Sequence, residues 1–369
     1  MKKTLLHLAL AALFLGTRAT TFADAAPATP PASGPREVKI ALNEITVLAE
    51  QKGWLKEEFD KVGATAKLVP CSVAVVPALL NRGDVDLANS MHGFSFVQLL
   101  NGFDPVIVWQ SADVDPRTVV ITVLKDSPLK SLADLKGKTL GVPLWTCGYY
   151  GASEALRNAG VPLDTKEAPG AVHYVNVTDT GLSVTANLLT GKVDAIATHP
   201  SGLASLYNQG LIRDIGTAVP GGQFVHDRIV YYTTRQWAQD NPDLIKAFIT
   251  VQNKTLVWIR DNRQEAAKIV AQAIRQPVDV EETAFQEPGN QRLFFPEQSY
   301  EGAVNAFEQF QKMAISYNDG LINDTRKPLT DQQVHDLFDK RFFKGGAYYP
   351  GDTVVEQNAA APASGLAAK

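Results

Sequence analysis

The stretch GVPLWTCGYYGASEALRNAG, residues 141–160, sets a cysteine, two glycines and two tyrosines between a short apolar run and an Ala-rich helical pattern. A turn that opens a helix presents backbone N–H groups and the positive end of the helix dipole, which attract anions and lower the pKa of a thiol. Cys147 could therefore be a nucleophile, the turn could be a phosphate loop, or it could be the rim of a pocket for another ligand. The Gly-x-x-x-x-Gly-Lys pattern of a nucleotide phosphate loop is absent. A nucleophilic thiol needs a base within reach, and the linear order places none of His92, His199 or His226 beside it. A turn capped by Thr146 with no ligand is the plain alternative. On the pocket reading the helix starts after Gly148. Gly148 and Gly151 admit close backbone approach, and Trp145, Tyr149 and Tyr150 form an aromatic rim able to stack on a ring or cover an alkyl chain.

The elements around this turn follow an α/β alternation. EVKIAL (37–42), AKLV (66–69), DVDLA (84–88) and PVIVW (105–109) are strand-like and alternate with helical patterns. After Tyr232 amphipathic helices dominate. In open α/β sheets ligands bind beyond the carboxyl ends of strands. The turns that follow successive strands therefore supply candidates: Asn43, Glu44 and Thr46, then Ser72 and Val73, then Ser90, Met91, His92 and Gly93. Later turns add Thr198, His199 and Ser201, with His226 or Arg228 near a returning strand. LLNRGDVDLANSMHG (79–93) and LLTGKVDAIATHPSG (188–202) repeat one supersecondary step: helix end, Gly, Val-Asp, short apolar strand, polar turn with His and Gly. Two similarly built lobes would produce that echo.

The chain has 369 residues, 45% hydrophobic and 20% charged, enough for one large domain or two ordinary ones. A net charge of -4 with no basic run argues against a nucleic-acid partner. MKKTLLHLALAALFLG followed by ADA reads as a secretory signal over 1–25, and residues 26–36 as a Pro/Ala/Ser-rich leader. No cysteine lies there to carry a lipid anchor, and no apolar stretch predicts a membrane span. The Ala-rich end, 351–369, reads as a tail with little to bury. Cys71 and Cys147 are the two cysteines, and two thiols are expected. The histidines lie on separate turns without metal-ligand spacing, so neither metal nor cofactor is expected.

The segments EQKGWLKEEFDKVGATAKLVP, LLNRGDVDLANS, KDSPLKSLADLKGKTLGVP, LLTGKVDAIAT and NPDLIKAFITVQNKTLVWIRDN together resemble the solute-binding proteins of ABC importers. The likeness is to the nitrate, aliphatic sulfonate and taurine group with its thiamine-pyrimidine relatives, and it extends over about 37–345. The resemblance implies a type II periplasmic-binding fold with two α/β lobes, each a mostly parallel sheet flanked by helices. Lobe 1 would hold 37–122 and 232–347, lobe 2 would hold 123–231, and strands near 117–124 and 225–234 would cross between them as a hinge. It further implies a periplasmic monomer that takes a small ligand to an ABC permease and its ATPase, without inserting in the membrane. If Cys71 and Cys147 face the cleft from opposite lobes, as the resemblance suggests, a bridge between them would lock it. Glu44 would repel a bare anion, so a ligand with an acidic group and an organic or amine-bearing body fits better. An enzyme of the desulfinase or pyrimidine-synthase kind, using Cys147 or a histidine, is the alternative; it would work inside cells, which the export signal disfavours.

Overall fold

Ten strands among the described residues carry the apolar runs: β1 (Arg36–Ala41), β2 (Ala64–Val69), β3 (Ala88–Met91), β4 (Pro105–Gln110), β5 (Val119–Leu124), β6 (Thr139–Val142), β7 (His173–Asn176), β8 (Ala195–Thr198), β9 (Ile212–Ala218) and β10 (Ile229–Thr234). The structure is a computed structural model that describes residues 36–71, 75–93, 103–111, 119–162, 171–177, 183–218, 228–286, 297, 299–316 and 328–349. The expected signal, most of the leader, the tail, the helix read at GFSFVQLLNG beyond Gly93, and Ser72, Val73 and His226 lie outside the described residues.

One sheet has the order β7-β6-β8-β5-β9. The other strands pair as β1-β2 and β3-β10-β4, and a parallel bridge between Ile40 and Leu87 joins these edge to edge as β2-β1-β3-β10-β4. The two five-strand orders match position for position. In each sheet the parallel strands are joined by one antiparallel strand in the fourth place, β5 or β10, which lies between two neighbours running the other way. Those are the strands that follow the chain's two passages between the sheets, so each sheet is mixed because its fourth strand arrives from the other one.

The internal echo maps onto equivalent places. Gly83 and Gly191 take φ of 69° and 70° just past their helices, a left-handed turn that favours glycine. Asp86 then accepts the Lys39 N–H of β1 at 2.8 Å, and Asp194 accepts the Thr139 N–H of β6 at 2.8 Å. Val-Asp recurs because the valine is buried while the aspartate ties the incoming central strand to its neighbour.

Helices α1 (Glu44–Gln51), α2 (Trp54–Asp60) and α3 (Val76–Arg82) belong to the first alternation, and α4 (Cys147–Asn158), α5 (Val184–Leu189) and α6 (Ala204–Asn208) to the second. The helical layer comprises α7 (Arg235–Asp240), α8 (Pro242–Asp261), α9 (Arg263–Ile274), α10 (Val278–Gln286), α11 (Tyr300–Ser316) and α12 (Asp331–Asp336). Two of these touch the second sheet's elements. α10 packs on the turn at Pro200–Leu203, and its Asp279 accepts the Asn208 side-chain N–H at 2.9 Å. From α11, Phe310 meets Tyr150 of α4 edge to face with centroids 5.4 Å apart. Aromatic contacts continue through Tyr149 to Tyr174 of β7, and through Phe307 to Phe338 and Phe343.

Phe310 is fully buried at the middle of this series. Phe310→Ala is expected to cost about 3–5 kcal/mol, the range for emptying a buried phenylalanine site, measured by urea unfolding; a loss under ~1 kcal/mol would show that the series does not hold the two sheets' elements together.

Candidate ligand-binding site

The cavity at the opening stretch is built by the ends of four strands meeting between the two sheets. It measures about 280 Å³ and is lined by Asn89, Ser90 and Met91 of β3, Ile229 of β10, Pro143 after β6, the first turn of α4, and Ala197, Thr198 and His199 at the end of β8. A second cavity of about 180 Å³ shares Asn89 and is lined by Asn43, Glu44, Cys71, Val76 and Ile274. Larger hollows of about 460 and 380 Å³ lie at the amino ends of the strands, against Asp104 and Pro105 in one case and Asp86 and Thr234 in the other. The carboxyl-end position is the one where α/β sheets hold ligands.

Helix α4 starts at Cys147, two residues earlier than the pocket reading of the turn suggested. Thr146 occupies the N-cap position, yet its side chain makes no capping bond; its hydroxyl donates to the Pro143 carbonyl at 2.7 Å. The helix therefore opens on the cavity without a side-chain cap, where an anion can take that place. Gly148 lets this turn approach β8, since an added Cβ would stand 3.1 Å from the Ala197 carbonyl oxygen. That approach brings Cys147 Sγ to 3.0 Å from His199 Nε2. The base that sequence order could not place is thus supplied by the turn after β8. Both cysteines are thiols, and burial raises the pKa of Cys71.

Ser90, Thr146, Cys147, Gly148, Thr198 and His199 line the main cavity, while Asn43 and Glu44 line the smaller one. Asn43 is also the N-cap of α1, accepting from the Ile45 and Thr46 N–H groups and donating to the Tyr231 hydroxyl. Thr46 is buried within that capping box. Tyr149 and Tyr150 do not form a rim. With the helix beginning at Cys147 they fall in its first turn and pack inward, Tyr150 with no exposure, because burying two aromatic rings outweighs exposing them.

Trp145, next in the chain to the lining residue Thr146, has φ of 61°, a left-handed backbone that costs a bulky residue about 1–3 kcal/mol. Across from it is Gly93, where a Cβ would stand 2.3 Å from the Trp145 carbonyl oxygen. Only glycine fits that approach between the turn after β3 and the turn after β6.

His92 is fully buried against Phe307 and Phe310, and its Nε2–H donates to Gln110 Oε1 at 2.5 Å. Burial, and secondarily the Arg228 charge, push its pKa down to about 3. Arg228 is half-buried, its carbonyl accepting the His92 N–H at 3.2 Å, and it does not line the main cavity. Asn89 was not among the expected site residues; the signal for it is a polar side chain within the apolar run LANS.

The model of the family described as NMT1/THI5 like matches residues 44–266, more than half of the chain. The chain belongs to that family. A Haemophilus influenzae protein assigned to thiamine biosynthesis is 34% identical over 151 residues, 41% of this chain and 43% of that protein. An Escherichia coli K12 protein assigned to aliphatic sulfonate binding is 24% identical over 290 residues, 75% of this chain and 82% of that one. Among solved structures, the alkanesulfonate-binding protein of Xanthomonas axonopodis pv. citri, bound to MOPS, superposes with a TM-score of 0.63 at 19% identity. The match covers 78% of this chain and 95% of that one, and it shows that the family member has the periplasmic-binding-protein fold.

Two outcomes follow for the family member's site. Gly93→Ala is expected to open the contact with Trp145 and weaken ligand affinity about tenfold or more, measured by calorimetric titration; unchanged affinity would show that this approach is not needed for binding. His92 stays neutral when folded and takes up a proton on unfolding below about pH 6.5, so its contribution is lost as pH falls from there toward 3. The loss reaches about 2 kcal/mol at pH 5, and His92→Gln should flatten this part of a stability-versus-pH curve; equal slopes in both proteins would refute it.

Proposed function

We propose that this protein is the periplasmic solute-binding component of an ABC importer, capturing a small organic anion between its two lobes and delivering it to the permease. The family, the fold and the likeness to sulfonate-binding proteins support a solute-binding role. The observation that carries the anion is the uncapped N-terminus of α4 facing a cavity between the sheets. A sulfonate or carboxylate there would accept from first-turn amides and face Thr198 and Ser90 across the cavity. Asn89 joins this space to the one holding Glu44, which suits a ligand whose body carries an amine or other donor at its far end. The two cavities are small, so the ligand is of metabolite size. No helix of the described residues is long and apolar enough to cross a membrane. Opening and closure would bend the two connections between the sheets, and opening would part Gly93 from Trp145, which are in close approach here.

An enzyme on this fold is the second reading, and the contact between Cys147 and His199 is what favours it. The binding reading expects a thermal-shift panel of sulfonates, carboxylates, amino-sulfonates and heterocycles to give one class that raises the melting temperature by a few degrees, about the linkage effect of saturating ligand. Cys147→Ser should keep that shift. A flat response across the panel would remove the anion assignment, and turnover of the shifting compound would favour the enzyme.

A further inference from the structure

Cys147 combines two features that favour a thiolate with a place where a ligand can reach it. It stands at the first position of a 12-residue helix, its Sγ lies 3.0 Å from His199 Nε2, and it is 8% exposed on the wall of a cavity. The helix dipole and an imidazolium partner both lower a thiol's pKa. Among the described residues lining the cavity, Cys147 and His199 are the titratable ones. The remaining wall is soft and largely apolar: Met91, Pro143, Ala197 and Ile229, with the small polar groups of Asn89, Ser90, Thr146 and Thr198.

We propose that Cys147 and His199 form a thiolate–imidazolium pair and that the cavity is a thiol–disulfide exchange site for a small-molecule disulfide. The proton moves from Sγ to Nε2 when the pair forms. The Cys147 thiolate attacks one sulfur of the disulfide, a Cys147 mixed disulfide forms, and the substrate's S–S bond breaks. The departing thiolate takes the proton from His199 and leaves as a thiol; Cys147 is oxidised and half of the substrate is reduced, so electrons and protons balance. A disulfide suits this wall better than an ester or amide. A thiolate attacks a disulfide sulfur by direct displacement with no tetrahedral oxyanion to stabilise, so the Cys147–His199 pair and a largely apolar wall are enough for it. Cys71, lining the neighbouring cavity with its pKa raised by burial, is an internal control.

The test uses the intact protein with 2-hydroxyethyl disulfide as probe, followed by mass spectrometry and peptide mapping between pH 5 and 9. The expected result is a single half-disulfide adduct on Cys147, at a rate that persists below pH 7, where an ordinary thiol slows about tenfold per pH unit. His199→Asn should cut the rate at pH 6 about tenfold or more and restore an ordinary thiol profile, with melting temperature as the folding control. Reaction first at Cys71, or an ordinary profile in the unmodified protein, would overturn the proposal. A rate at Cys147 that does not respond to His199→Asn would overturn it equally. If His199→Asn does not fold, the profile of the unmodified protein decides. Anion binding is read separately on the unmodified protein kept reduced, by thermal shift with sulfonates and carboxylates, so failure of exchange and failure of solute binding are distinguishable.

Discussion

Tyr150 and Phe310 meet edge to face, and the location of the candidate cavity depends on that contact. Tyr150 lies in the first turn of α4, three residues after Cys147, and Phe310 lies in α11 of the C-terminal helical layer. Anchoring the first turn of α4 to a helix outside its own sheet fixes where the N-terminus of α4 points. His92 packs on Phe310 from the other sheet's side, so the turn after β3 shares the same anchor. The aromatic area excluded from water here is the dominant favourable term, and the polar cavity is what remains between elements that it positions.

Polar and strained features concentrate where that anchor leaves space. Trp145 holds a left-handed backbone, Thr146 turns its hydroxyl away from the helix it precedes, and Gly93 accepts an approach that a side chain would block. Strain of this kind persists where surrounding packing over-determines it, and it gathers at ligand sites. The same turn gives Cys147 its neighbour, because Gly148 lets α4 come close enough to β8 for His199 to reach the thiol. One glycine therefore links the backbone geometry of the proposed anion site to the placement of a sulfur beside an imidazole.

The repeated step at 79–93 and 188–202 shows how local chemistry was legible. Glycine past a helix end, buried valine, and aspartate tied to the neighbouring strand all act within a few residues or on the adjacent strand, and they recur in equivalent places in both sheets. The turns after β3, β6 and β8 converge for the same reason, since parallel strands bring successive carboxyl ends to one edge. Asn89 escaped notice because a strand residue shows its direction only once register is set, and register with β10 places it opposite Tyr231.

By itself the amino-acid sequence determined the α/β alternation, the two-lobed repeat, the helical C-terminal third and the turns that could hold a ligand, because periodicity and turn chemistry are local. Tertiary structure alone decided what each candidate does. It sent Tyr149, Tyr150 and His92 into the core, kept Thr146 from capping, and brought Cys147 to His199 across 52 positions of chain. Those outcomes depend on which distant surfaces meet, and contacts between elements far apart in the chain are set by the packing of whole faces, which no local pattern encodes.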